Sequence, residues 1–220
     1  PAAPTISDTW NSAGPGRTWD HALASAGILA FRADPRSASG KGALSAWTCY
    51  KKLGQGELKD IETAITWLTA KPFADPARVG MAGHSYGGYI TAYAMTNSKL
   101  FSAGIAGAPV TDWREYDTIY TERYMLTPQD NPEGYKLGSV IESAKNLHGR
   151  LLLSHGMMDD NVHLQNNTRL IRALQAANAP FEMMLYPEAR HSIGGRHYQQ
   201  LQVDFIKRTM LQTPAPTPGR

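Results

Sequence analysis

The chain has 220 residues, 42% of them hydrophobic and 19% charged, with a formal net charge of +3 and a pI near 9.0. That length and balance suit one folded domain with a sizeable core and exclude a disordered chain. No stretch reaches the roughly 20 apolar residues of a membrane-spanning helix, no Lys/Arg run points to nucleic acid, and a single cysteine, Cys49, excludes an intrachain disulfide.

In chain order, Ile28-Leu29-Ala30-Phe31 reads as a strand. Glu57 to Thr69 reads as an amphipathic helix with Leu58, Ile61, Ile65 and Leu68 on one face. Val79 to Ala82 reads as a strand, followed by a helix from about Gly88 to Asn97 in which Ile90, Ala94 and Met95 fall near helical spacing. Ser102 to Gly107, Arg150 to Ser154 and Glu182 to Tyr186 read as further strands. Asn166 to Ala177, carrying Leu170, Ile171 and Leu174, and Tyr198 to Leu211 read as helices. Strands alternating with helices imply an α/β fold, a mostly parallel sheet with helices on both faces. Residues 1–212 read as the folded domain, and the Pro-rich tail 213–220 is expected to be disordered. The chain shows no signal peptide and does not begin with Met, so residue 1 is not expected to be the natural start.

The strongest motif is Gly83-His84-Ser85-Tyr86-Gly87, a G-x-S-x-G string directly after an apolar strand and before a helix. In that setting the serine sits on a strained strand-to-helix turn with its hydroxyl exposed. Side chains at positions 83 and 87 are expected to collide with neighbouring segments, and Gly88 extends the tolerance for close packing. A serine hydroxyl needs an adjacent base. His191 is the candidate, in the loop after the Glu182–Tyr186 strand, and Asp159, after the Arg150–Ser154 strand, is the candidate acid. Serine, acid, histidine is the chain order of the α/β-hydrolase triad. Asp160 competes for the acid role, and His163 and His197 for the base role. His155 reads as a structural histidine at a strand end, and His84 as a neighbour of the turn. The backbone N–H of Tyr86 is the expected oxyanion donor, at a helix N-terminus that favours developing negative charge. The histidines show no H-E-x-x-H or Cys-rich spacing, so no metal and no cofactor is expected.

From about Thr18 to Leu211 the chain resembles the catalytic domain of the prolyl oligopeptidase family of serine peptidases, in particular its dipeptidyl peptidase IV branch. The strings that carry the resemblance are Gly83-His-Ser-Tyr-Gly-Gly-Tyr89, Tyr116-Asp-Thr-Ile-Tyr-Thr-Glu-Arg-Tyr124 and His155-Gly-Met-Met-Asp-Asp-Asn-Val-His163. The resemblance implies release of N-terminal dipeptides from peptides with Pro or Ala at the penultimate position. It implies a proline pocket lined by Tyr86, Val110, Trp113, Tyr116, Tyr120 and Val162, all apolar or aromatic. The spacing of Trp113, Tyr116 and Tyr120 predicts one helix face, for which a plain core stripe is the competing reading. Tyr116 is expected to reach the substrate's amino end, and Asn161 to bind the carbonyl between the first two substrate residues. Arg36 occupies a family loop position and reads as structural.

The chain also departs from the family pattern. Family members carry an upstream β-propeller whose paired glutamates and an arginine grip the substrate's amine and carbonyl. They also have a tyrosine, in a Tyr-Gly-Gly-Pro-like string, that is the second oxyanion donor. Pro1 resembles the end of that string, so the first strands of the sheet are expected to lie outside this chain, and these residues alone are expected to be a poor enzyme. Ala103 stands where some extracellular relatives have a disulfide cysteine. The resemblance further implies a homodimer and a periplasmic or extracellular setting. Two other readings stand beside it: an acylaminoacyl peptidase or esterase on the same fold, and an inactive fragment acting as an interaction module.

Overall fold

A computed structural model describes residues 15–38 and 40–211, with side chains described from Asp20 onward. Among the described residues, four strands form one sheet in sequence order: β1 (Gly80–His84), β2 (Ala103–Gly107), β3 (Arg150–Gly156) and β4 (Glu182–Tyr186). All three pairings are parallel, and the register sets Ala82 beside Ile105, Ile105 beside Leu152, and Leu152 beside Glu182. The helices are α1 (Pro15–Ser25), α2 (Ala43–Ala46), α3 (Gln55–Thr69), α4 (Tyr86–Asn97), α5 (Thr118–Met125), α6 (Pro132–Leu137), α7 (Val140–Ser143), α8 (Gln165–Ala176) and α9 (Arg196–Ile206). A π-helical turn, Lys207–Leu211, extends α9.

Side chains alternate across a strand, and β3 shows the result. Leu151 and Leu153 join one core with Tyr89, Ala92 and Met95 of α4 and Leu170 and Leu174 of α8. Leu152 points the other way, into a second core with Ala103, Ile105, Phe205 and Met210. A strand buried on both faces reads as a continuous apolar run, as Leu151-Leu152-Leu153 does. The buried helix α4 lies close to the sheet because β2 is built of small residues. A Cβ on Gly104 would come within 2.6 Å of Met95 Cγ.

Several expectations need correction. Ile28–Phe31 is not a strand, although Ile28 still packs against the second core. α4 starts at Tyr86 rather than Gly88, β1 runs to His84, and α3 begins at Gln55. Trp113, Tyr116 and Tyr120 do not share a helix: Trp113 opens a single 3-10 turn, Tyr116 is extended, and Tyr120 lies in α5. The reason is two capping aspartates, since Asp112 accepts from the N–H of Arg114 and Asp117 from that of Tyr120. Each starts its own short helix. Arg36 ties its loop to α3 through a multidentate ion pair with Asp60. Pro1 and the tail 213–220 lie outside the described residues. Among the described residues no helix is long and apolar enough to cross a membrane.

Candidate active site

Ser85 is the hinge between β1 and α4, and its backbone is strained, with φ 59° and ψ −118°. A non-glycine residue held there costs about 1–3 kcal/mol and persists only where its surroundings enforce it. Its N–H is fixed by the Gly107 carbonyl at 2.8 Å. The turn closes so tightly that a Cβ on Gly83 would lie 2.4 Å from the Gly87 carbonyl. A Cβ on Gly88 would lie 2.3 Å from the Gly107 oxygen, whereas one on Gly87 would meet nothing within 4 Å. The expected collision at position 87 is therefore wrong: Gly87 contributes the backbone against which Gly83 packs, and Gly88 has the steric need.

His191 Nε2 stands 2.9 Å from Ser85 Oγ, and His191 Nδ1 stands 2.9 Å from Asp159 Oδ2. A carboxylate only accepts, so Nδ1 carries the proton and Nε2 accepts from the hydroxyl. Asp159 is buried, and its Oδ1 accepts the N–H groups of Asn161 and Val162, each at 3.0 Å. Two backbone bonds join the acid's loop to the histidine's: Met157 N–H to the Tyr186 carbonyl at 2.9 Å and Met158 N–H to the Ala189 carbonyl at 3.0 Å. Together these contacts form a relay from hydroxyl to imidazole to carboxylate, the arrangement that makes a serine nucleophilic. The rival candidates lie elsewhere. Asp160 pairs with Arg190 at the surface, His197 meets the Tyr186 hydroxyl, and His163 lines a neighbouring cleft. His84 packs its ring 5.0 Å from that of His191; burial first, then the neighbouring imidazole, lowers its pKa.

Tyr86 begins α4, where first-turn N–H groups have no acceptor within the helix. The structure also brings the aromatic set together. The Trp113 ring lies 5.6 Å from Tyr86, 6.2 Å from Tyr116 and 5.9 Å from Tyr120. Val110, Trp113 and Val162 are buried, while Tyr86, Tyr116 and Tyr120 are partly exposed around them. Tyr116 donates its hydroxyl to Asn161 Oδ1 at 2.7 Å. Beyond that pair opens a cleft of about 570 Å³ lined by Glu115, Tyr116, Asp117, Asp160, Asn161 and His163. The adjoining face is acidic, and Arg169 and Gln165 engage Glu115 there.

Two supporting residues escaped the sequence reading. Glu57, buried at the start of α3, accepts from the Tyr86 hydroxyl at 2.8 Å and from the Gly54 N–H at 3.1 Å. Burial foremost, then this carboxylate, pushes the Tyr86 phenol well above its ordinary pKa. Asn166, buried in the first turn of α8, accepts the Thr111 N–H at 2.9 Å, and its carbonyl accepts the Thr111 hydroxyl at 2.7 Å. It pins the Val110–Trp113 loop to α8. A carboxylate on the apolar face of α3 was the one available signal for Glu57; nothing in the sequence marked Asn166.

A model of the prolyl oligopeptidase family matches residues 17–213. Dipeptidyl peptidase 8 of Homo sapiens and that of Mus musculus are each 39% identical over 197 residues, covering 86% of this chain and 22% of their own length. The crystal structure of Porphyromonas gingivalis dipeptidyl peptidase 4 superimposes with a TM-score of 0.85 at 41% identity, covering 87% of this chain and 28% of that one. The chain thus spans under a third of the length of each of these proteins. Since the match runs from α1 through the π-helical turn after α9, the chain belongs to the prolyl oligopeptidase family.

Proposed function

We propose that this chain is the hydrolytic part of a serine peptidase that releases N-terminal dipeptides ending in Pro or Ala. The observation that carries the reading is the hydrogen-bonded relay Ser85–His191–Asp159, with Ser85 on a strained turn. His191 Nε2 takes the proton from Ser85 Oγ as that oxygen attacks the substrate carbonyl. The oxyanion of the tetrahedral intermediate is received by the Tyr86 N–H. The C–N bond then breaks, His191 gives its proton to the departing amine, and the dipeptide remains as an ester on Ser85. Water attacks with the same base, freeing the acid product and restoring the hydroxyl. Asp159 stays ionised throughout, holding the imidazole and stabilising its charged form.

The aromatic set supports the substrate assignment. A prolyl ring is flat and apolar and brings no N–H to its pocket. Tyr86, Tyr116 and Tyr120, backed by Val110, Trp113 and Val162, offer surface of that kind. Tyr116 would face the substrate's amino end, and the amide nitrogen of Asn161 the carbonyl between its first two residues. The names of the relatives point the same way. In the whole protein an upstream β-propeller would bind the free amine, and the assembly would be a homodimer.

The test uses the whole protein and its Ser85→Ala variant on a Gly-Pro chromogenic amide, with the amine free and acetylated. Cleavage of the free form alone, abolished in Ser85→Ala, is the expected result. Equal hydrolysis by Ser85→Ala would overturn the nucleophile, and preference for the acetylated form would overturn the dipeptidyl assignment.

A further inference from the structure

His155 lies near the end of β3 with its side chain fully enclosed, and the hydrolytic steps make no use of it. Its Nε2 stands 2.8 Å from the Val162 carbonyl oxygen and 3.2 Å from Asp159 Oδ2. A carbonyl oxygen can only accept, so Nε2 carries the proton, aimed at Val162 with the carboxylate beside it. Nδ1 is buried without a hydrogen-bond partner among the described residues. Protonating it would bury an unpaired N–H, so the ring is neutral. Burial, as the largest influence, holds its pKa below the usual histidine range.

One ring edge therefore serves two acceptors belonging to different working parts. Asp159 is the proposed acid, and Val162 backs the proposed proline pocket. The carboxylate is surrounded: Oδ1 accepts the N–H groups of Asn161 and Val162, while Oδ2 faces His191 on one side and His155 on the other. With all these directions occupied, it has little freedom to turn from His191. Without the His155 N–H, the Val162 carbonyl and one flank of Oδ2 would be unmet in a dry site, a condition that drives rotation or water entry.

We infer that His155 is a positioning residue: it holds Asp159 in line with His191 by bracing the 159–162 loop, making the triad a four-residue array. The inference rests on the triad reading above.

The experiment compares His155→Leu, which removes the donor, with His155→Gln, which can return an N–H to the Val162 carbonyl. Each is made in the whole protein, with folding checked by circular dichroism. The expected result for His155→Leu is a kcat lowered about 10- to 100-fold, the scale of loss when the hydrogen-bond partner behind a metal-ligating side chain is removed. KM should rise by less than kcat falls, since Val162 only backs the pocket, and fluorophosphonate labelling of Ser85 should slow in parallel. His155→Gln should recover most of both rates. If His155→Leu does not fold, His155→Asn replaces it, since its amide falls one methylene short of the carbonyl. Equal losses in the donor-bearing and donor-less variants, a loss confined to KM, or an unchanged kcat would overturn the inference. Hydrolysis that survives Ser85→Ala would instead overturn the triad reading, so the two failures are distinguishable.

Discussion

The Tyr86 hydroxyl donates to the Glu57 carboxylate at 2.8 Å, joining the residue after Ser85 to the start of a helix 29 positions earlier. In the proposed mechanism that one residue would serve as oxyanion donor through its backbone and as pocket wall through its ring, and Glu57 holds the ring. In Glu57→Ala, a buried phenol and the Gly54 N–H both lose their acceptor. Leaving a buried donor unmatched costs about 1–3 kcal/mol. We expect a lower urea midpoint and a higher KM for Gly-Pro substrates, with Glu57→Gln closer to wild type because its carbonyl still accepts. An unchanged KM in Glu57→Ala would remove Tyr86's ring from substrate binding.

Gly87 and Gly88 should respond oppositely to a methyl group. Gly88→Ala drives its Cβ into the Gly107 carbonyl, which itself anchors the Ser85 N–H. Overpacking of this kind costs about 1–3 kcal/mol or more, and here it also displaces the anchor of Ser85. We expect Gly88→Ala to lose both stability and labelling of Ser85 by a fluorophosphonate. Gly87→Ala, with open space at its Cβ, should keep its unfolding midpoint. Similar midpoints for the two variants would refute this account of the turn.

Asn166→Leu removes the acceptor of the buried Thr111 N–H. A loss of about 1–3 kcal/mol is expected. Because the freed loop carries Val110 and Trp113, KM for prolyl substrates should rise more than kcat falls. Steady-state kinetics beside a urea titration decide it, and a kcat effect with KM intact would contradict the pocket role.

Stability should fall at alkaline pH. Burial pushes the phenols of Tyr86 and Tyr89 well above their ordinary pKa, and those of Tyr93 and Tyr135 up to about 12. In the unfolded chain a tyrosine ionises near pH 10. Above about pH 10 the unfolded state therefore binds fewer protons than the folded one, and the free energy of unfolding declines as pH rises. The contribution is complete below about pH 9; that of Tyr93 and Tyr135 is lost by about pH 12, and that of Tyr86 and Tyr89 is still being lost there. Urea midpoints measured at pH 7, 8.5 and 11.5 should be equal for the first two within error and clearly lower for the third; a flat series would refute it.

The four strands were legible because each is a short run of apolar or small residues feeding a turn or helix. Ile28–Phe31 has the same composition, but only Ile28 packs on the second core and the segment pairs with no strand, and composition does not reveal pairing. The aromatic residues at 113, 116 and 120 kept helical spacing while Asp112 and Asp117 each began a new helix; the caps carried the true signal. The relay of Ser85, His191 and Asp159 could be read because motif and order are local to three strand ends. Glu57, Asn166 and the bracing by His155 could not be read in this way. Their meaning lies in contacts with Tyr86, Thr111 and a loop carboxylate, which only the folded chain supplies.

The bonds from Met157 to the end of β4 and from Met158 to the loop after it have a consequence for how this site can be tuned. Asp159 and His191 are clamped onto one body, while Ser85 is clamped to β2 through the Gly107 carbonyl. Any relative shift between these bodies is concentrated in the single gap between Oγ and Nε2. A shift of β4 against β2 would therefore be felt first at that gap, and would leave the contact between Asp159 and His191 largely as it was.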